Sequence, residues 1–484
     1  MMSSPLSPPY PRAARPDHAR HNFFIVRLMA AHLKKPPTFT PVRKRRCRRV
    51  AFFSRQGAWI KRVACVLPVF VQTITLALAA PDEASNAGKG FTLSETCPAS
   101  FVLNGEGGCE LRNRYRSYRS LRDAGVGGLK TGLPPLREGF TPQQIDLGRY
   151  LFFDPILSAD GTVACASCHD PAWGFSDGQA RATGINGQTL QRSAPSLWNV
   201  GFLDTLLWDG SKTSLEEQMQ GPLYSPMEMG NTPAQLLSAL NGNATYAALF
   251  QQAFDAAPIS LEHLYTAITA FESSLISLNS RYDLYAHGFH AALSTEEIAG
   301  LNVFRSFVAR CAECHTPPLF TNQQLAVIGV ADAPGQLVDS GAGAVTGDAS
   351  QRGAFRVPSL RNVARTAPYM HRGQKATLQD AARFYTGGRG HEVPADEPLM
   401  IHWHIWEPRL TDAEIELLAG FLGTLTDEAF MPEIPDTVPS GLPVARAPSN
   451  RQASASTLGH NIRGTDFSDN KMVRVETPQG GSTP

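Results

Sequence analysis

Acid is almost missing from the first 80 residues of this 484-residue chain, where Asp17 stands alone against 15 lysines and arginines. The rest is the reverse, with 29 basic and 42 acidic side chains, so the formal charge of +1 becomes −13 once that segment is removed. A body of that sign excludes the cationic footprint that nucleic-acid binding needs. It could steer a basic partner protein, although a solvated acidic surface is the blander reading. β-alternation is scarce, which argues against a sheet-built class. The body reads instead as helices joined by long loops. Cysteine is also scarce, 8 in all. At 42% hydrophobic content the chain can bury a sizeable core and form two domains.

The amino terminus belongs to neither domain. Lys61 and Arg62 precede an apolar run from Val63 to Ala80 that ends in small residues, the pattern of a secretory signal cleaved after Ala79 or Ala80. A retained membrane anchor is the competing reading, and Pro68, Gln72 and two threonines in a short run speak against it. The periplasm is the expected compartment. Residues 1–60 are Pro- and Arg-rich, with a basic block from Arg43 to Arg49 broken only by Cys47. A nucleic-acid arm is the sharper reading of that block; an over-extended gene start is preferred. Past the signal, Cys97 and Cys109 are expected to close a local disulfide in segment 81–139. Residues 431–484, rich in Pro, Ser, Thr and Gly without periodicity, read as a disordered tail.

Past the signal, the other four cysteines stand in two copies of Cys-x-x-Cys-His: Cys165-Ala166-Ser167-Cys168-His169 and Cys311-Ala312-Glu313-Cys314-His315. Composition alone would produce roughly 0.004 such pentapeptides in this chain. A zinc site would hold its cysteine pairs about 15–20 residues apart, whereas Cys168 and Cys311 are 143 apart. A redox dithiol does not call for a following histidine. The pattern is the attachment signature of c-type haem, the thiols adding to the vinyl groups and His169 and His315 becoming proximal iron ligands.

Helix starts surround both motifs. Thr141-Pro142-Gln143-Gln144 is a capping box leading to Phe153, Ser214 opens another helix, and Ser260 to Ser277 has helical apolar spacing. Ser294 caps a helix expected to run into Cys311, and Thr411 starts a last one ending near Leu425. The fold class is therefore mainly α: two c-type cytochrome domains, 140–285 and 286–430, each with one covalently bound haem.

Between and beyond the motifs lie Leu147 to Asp154, Gly174-Phe175-Ser176-Asp177-Gly178, Leu207-Trp208-Asp209-Gly210, Leu215 to Gln218 and Met227-Glu228-Met229-Gly230. Arg356 to Val363 and Ala367-Pro368-Tyr369-Met370-His371 follow. In these blocks the chain resembles the bacterial dihaem cytochrome c peroxidase and MauG family over residues 140–426. The resemblance implies a peroxidatic haem in the first domain and an electron-transfer haem in the second. It makes Glu228 the distal acid/base and Gln218 a distal hydrogen-bond donor. Trp208 becomes the indole between the haems. Many relatives carry a histidine where this chain has Ile185, so the first iron is expected to be open at rest. Counting from His371 places Tyr385 as the second haem's other ligand, with Met370 as fallback and His391, Met400, His402 and His404 as further candidates. Thr366 and Pro368 match carbonyls that bind calcium in relatives, with Ser193 replacing an asparagine.

The expected activity is peroxide reduction to water with electrons from a small cytochrome c or cupredoxin. The alternatives are a MauG-like oxidase acting on residues of a partner protein and a non-catalytic dihaem electron carrier. Relatives are often homodimers.

Overall fold

The computed structural model describes residues 90–116, 132–332 and 339–448. The signal and the basic extension expected in residues 1–80 lie outside the described residues. Among the described residues no helix is long and apolar enough to cross a membrane. Two short antiparallel ladders are the only named sheets there: β1 (Phe101–Leu103) with β2 (Cys109–Leu111), and β3 (Leu325–Val327) with β4 (Ala354–Arg356). The Cys97–Cys109 disulfide closes the first.

The longer elements that frame the sites are helical. The first half holds α1 (Pro142–Phe153), α2 (Cys165–Cys168), α3 (Pro233–Gly242), α4 (Ala244–Phe254) and α5 (Leu261–Ser273). The second holds α6 (Thr295–Phe304), α7 (Cys311–Cys314), α8 (Leu378–Thr386) and α9 (Asp412–Gly423). The helices α1, α6 and α9 start on the capping boxes of Thr141, Ser294 and Thr411, whose side chains satisfy otherwise orphaned amides of the first turn.

Each half crosses its first long helix on its last. A Cβ at Gly148 in α1 would lie 1.9 Å from the Ala267 carbonyl oxygen of α5, and one at Gly300 in α6 would lie 2.0 Å from that of Leu417 in α9. Glycine at each crossing is therefore obligatory, because any side chain would drive the helices apart. Leu147, Leu151, Leu264 and Ala267 fill the first core, with α3 and α4 behind them. The second draws Leu301, Phe304, Phe320, Leu418 and Phe421 together. That second cluster also takes Ile145, Phe202 and Ala270 from the first half, so packing is continuous across the boundary expected at 285.

Two expectations are corrected. The helix expected to run into Cys311 ends at Phe304, and Arg310, with φ 56°, turns the chain so that α7 begins its own turn. The tail expected from 431 is not free at its start: residues 431–448 run over the first half. Ser440 bonds both oxygens of buried Asp154 (2.6 and 3.1 Å), and Val438 enters the core. Arg446 holds both oxygens of Asp170, next to His169, at 2.8 and 2.9 Å. An extended segment that satisfies buried carboxylates one by one leaves no periodicity to read.

Candidate functional site

Both motifs form one helical turn, so their cysteines, three apart, lie on one face with the histidine just beyond. The thiols are free. Burial pushes Cys168 and Cys311 up to about 12 and raises Cys165 and Cys314 as well, the opposite of a reactive dithiol. His169 Nδ1 donates to the Phe175 carbonyl at 2.9 Å, and His315 Nδ1 shares the carbonyls of Phe320 (3.2 Å) and Pro358 (3.1 Å). A carbonyl only accepts, so Nδ1 carries the proton and Nε2 is left with its lone pair. Burial lowers both imidazole pKa values, that of His315 to about 4, and keeps the rings neutral. A neutral imidazole oriented through its other nitrogen, beside two free thiols, is the donor set of a covalently held haem.

The histidine frames belong to an internal repeat that the sequence reading missed. Residues 193–218 align without a gap on 356–381, matching Pro195-Ser196-Leu197 with Pro358-Ser359-Leu360 and Asn199-Val200 with Asn362-Val363. Asn199 and Asn362 share positive φ, 61° and 55°, as do Leu207 and Met370, 66° and 71°. The carbonyl of Pro195 reaches His169 as that of Pro358 reaches His315. The recurrent Pro-Ser-Leu-x-Asn-Val string was the available signal.

What faces each frame differs. Around the first, the short turns Leu215–Gln218 and Gln220–Tyr224 lead into a tight turn, Ser225 to Gly230, that carries Glu228. Burial raises the Glu228 pKa, a hydrogen bond from Ser225 offsets it in part, and its charge is felt by Cys168. Gln218 is half-buried at the end of its turn. Ile185 closes over this turn: its amide donates to the Glu228 carbonyl at 2.8 Å, and a Cβ at Gly230 would meet its Cδ1 at 2.4 Å. Ile185 is thus a packing residue, 7% exposed.

Two further carboxyls lie near the first motif. Glu272 on α5 is buried, its Oε2 has no partner, and burial with the Glu216 charge pushes its pKa up to about 8. The hydroxyls of Thr269 and Ser273, on the same helix face, are likewise buried without partners. At 100° per residue this face is opposite Ala267 and Phe271, which meet α1. Asp177 is raised by burial to about 6. No pattern marks such residues, since a carboxyl on an apolar helix reads as its exposed edge.

Around the second motif, one cavity is lined by Cys311, Cys314, His315, Met370, Tyr385 and Trp208, among others. Tyr385 comes from α8, the continuation of the repeat that the first half breaks before Glu228. Burial and the thiols of Cys311 and Cys314 raise its phenol pKa, so the ring stays neutral without haem. Among the other candidates, His402 and His404 line the cavity, but His404 is held by Glu313 at 2.9 Å. His391 turns to the Gly388 carbonyl, and Met400 is 65% exposed, so neither reaches it. Trp208 is pinned by its indole N–H to the Ser193 carbonyl at 2.9 Å, and its own carbonyl accepts from the Arg356 amide. Thr366 and Pro368 line the same cavity, while the Ser193 hydroxyl is committed to the carbonyls of Met370 and His371. Among the described residues no cluster of metal-ligating side chains adds to those carbonyls, so the calcium expectation rests on the resemblance alone.

Residues 142–291 match the family described as di-haem cytochrome c peroxidase. The methylamine utilization protein MauG of Methylorubrum extorquens is 33% identical over 305 residues, 62% of this chain and 84% of that protein. The cytochrome c551 peroxidase of Pseudomonas aeruginosa is 36% identical over 245 residues, 49% of this chain and 70% of that one. Among solved structures, a MauG-like protein associated with microbial copper homeostasis superposes with a TM-score of 0.58 at 32% identity, covering 64% of this chain and 97% of that one. The diheme peroxidase BthA of Burkholderia thailandensis gives 0.53 at 28%, covering 63% and 91%.

Proposed function

This chain belongs to the dihaem cytochrome c peroxidase and MauG family, and on that premise we propose that it is a periplasmic peroxidase. It reduces hydrogen peroxide to two waters with two protons and two electrons, the electrons coming from a small cytochrome c or cupredoxin. One observation carries the reading: the repeated histidine frames are alike, yet the charge of a carboxyl on a turn, Glu228, is felt by Cys168 of the first motif, and a phenol, Tyr385, lines the cavity of the second.

Bound at the two motifs, haem supplies an iron for peroxide at His169 and one-electron chemistry at both. Glu228 would move a proton between the two oxygens of hydrogen peroxide held at that site, and its raised pKa suits the exchange. Gln218 would donate from its amide to that peroxide. Ile185 brings no ligand group to the loop, so the site needs no displacement step before it can react. Trp208, fixed by Ser193, offers an aromatic route between the halves.

A second reading is favoured by Tyr385. A phenolate ligand stabilises higher oxidation states, and a second site of that kind would suit a MauG-like oxidase that draws electrons from residues of a partner protein. The electron-carrier reading would require both irons to be closed. Electron paramagnetic resonance of the resting ferric protein separates these: one high-spin and one low-spin haem support an open first site, and two low-spin haems refute it. Steady turnover of peroxide with reduced cytochrome c then favours the peroxidase over the oxidase. Glu228→Gln should cut peroxide turnover by about 10²–10⁴-fold, the range for losing an acid/base, with both haems still attached. Unchanged turnover would remove Glu228 from its role.

A further inference from the structure

Among the described residues of the second half two arginines are buried, and only one is met by a carboxylate. Arg361, 1% exposed, grips both oxygens of Asp283 at 2.6 and 2.8 Å and the Pro318 carbonyl. Arg356, 7% exposed, donates from Nε to the Leu207 carbonyl at 3.3 Å, and its Nη1 is buried with no partner. The carboxylates of the adjoining segments are engaged elsewhere: Asp209, next to Trp208, and Asp339 both hold Arg192. Burial alone acts on Arg356, pushing its pKa down to about 10 with no carboxylate opposing it. A buried cation without a counter-charge is costly, so the fold must expect an anion there.

The position says which anion. Arg356 ends β4, two residues before the Pro358 carbonyl that orients His315, and lines the cavity shared by Cys311, Cys314, His315 and Trp208. A guanidinium matches a carboxylate in two parallel hydrogen bonds. We propose that Arg356 is a carboxylate-binding residue whose ligand is a propionate of the haem attached at Cys311 and Cys314. The inference rests on the haem reading above. It makes Arg356 a positioning residue that ties the second haem's carboxylate edge to the strand holding Trp208. Its cation beside that haem favours the reduced iron, which carries one positive charge fewer.

The test compares wild type, R356Q and R356K after covalent haem maturation, using haem content, far-UV circular dichroism and a potentiometric titration of each haem. R356Q should keep both haems and move the low-spin haem at least tenfold toward the ferric form, which is 59 mV for a one-electron couple, and R356K should recover most of that shift. An unchanged potential in a folded, dihaem R356Q overturns the assignment. So does a shift confined to the high-spin haem, or a wild-type potential that follows chloride concentration, since the anion would then be the other haem's or the solvent's. Should R356Q fail to fold, redox-difference infrared spectra with 13C-labelled propionates decide: a propionate band that differs between wild type and R356K supports the contact, and identical bands refute it. A wild-type protein that matures without covalent haem would overturn the haem reading itself, and this inference with it.

Discussion

Replacing Glu272 with glutamine should flatten a specific part of the protein's pH–stability profile. The carboxyl is 5% exposed, Oε2 has no hydrogen-bond partner, and burial with the nearby Glu216 charge raises its pKa from 4.5 to about 8. A carboxyl whose folded pKa exceeds its unfolded one holds its proton longer in the native state. Its contribution to stability is therefore complete below about pH 4.5 and is lost as pH rises toward 8. The slope in that window is about 1.4 kcal/mol per pH unit. Between pH 5 and pH 8 the two pKa values give a loss of about 3–4 kcal/mol from this one group. Glutamine keeps the shape of the protonated side chain and cannot ionise. The assay is urea unfolding of the dihaem protein, followed by far-UV circular dichroism, for wild type and Glu272→Gln at several pH values across that window. The two should match within about 1 kcal/mol at pH 5, the scale of a neutral hydrogen bond, and diverge by 3–4 kcal/mol at pH 8 with the variant the more stable. A constant difference across the window would mean that Glu272 ionises normally, and the buried-acid description would fail.

Gly300→Ala should place a methyl 2.0 Å from the Leu417 carbonyl oxygen and cost at least the roughly 3 kcal/mol of severe overpacking. Gly148→Ala should match it at the other crossing, and thermal unfolding measures both. Ile185→His should put an imidazole in the loop clamped on the Glu228 turn; on the proposed function it should make the resting first haem low-spin and peroxide turnover dependent on prior reduction, and a paramagnetic spectrum like that of wild type would mean that position 185 does not face the iron. Arg446→Ala should leave only the Ala447 amide to hold the strap at Asp170, which is 3% exposed on its side chain, at a cost of about 1–3 kcal/mol for an acceptor losing its charged partner, and limited proteolysis should then cut first within 431–448.

Caps and metal-type motifs were legible because each is written in adjacent residues. Thr141, Ser294 and Thr411 act within three positions of themselves, and a Cys-x-x-Cys-His turn carries its own chemistry. The crossing glycines, by contrast, only make sense once Ala267 and Leu417, each more than 100 residues away, arrive on the other side. Arg356 and Glu272 were missed for the same reason. Their charge state depends on what fails to surround them, and a missing neighbour leaves no trace in a local pattern. The strap at 431–448 is the reverse case: its low periodicity reads as lack of structure, whereas Ser440 and Arg446 each bind a carboxylate nearly 300 residues earlier.

The repeat explains how one ancestral plan yields two unlike sites. Residues 193–218 and 356–381 run in register, so the histidine-orienting carbonyls, the left-handed asparagines and the turns at Leu207 and Met370 are common property. The larger divergence begins where the register ends. After Gln218 the first copy breaks its helix twice and spends the chain on the Ser225–Gly230 turn, which leaves a carboxyl beside the first motif with Ile185 folded over its backbone. The second copy continues as α8 to Thr386 and brings Tyr385 to Cys311 and Cys314. Where the frames face each other, position 208 in one copy is Trp and its counterpart in the other is His371, stacked on Phe355 at 4.0 Å. The Tyr385 phenol thus follows from what is attached to the repeated frame, and the Trp208 indole from a difference within it. A segment graft would expose this: replacing residues 219–230 with the continuation of α8 should close the first site with a phenol, giving two low-spin haems and no peroxide turnover. Retained turnover in a folded graft would mean that the distal segment does not set the division of labour between the two motifs.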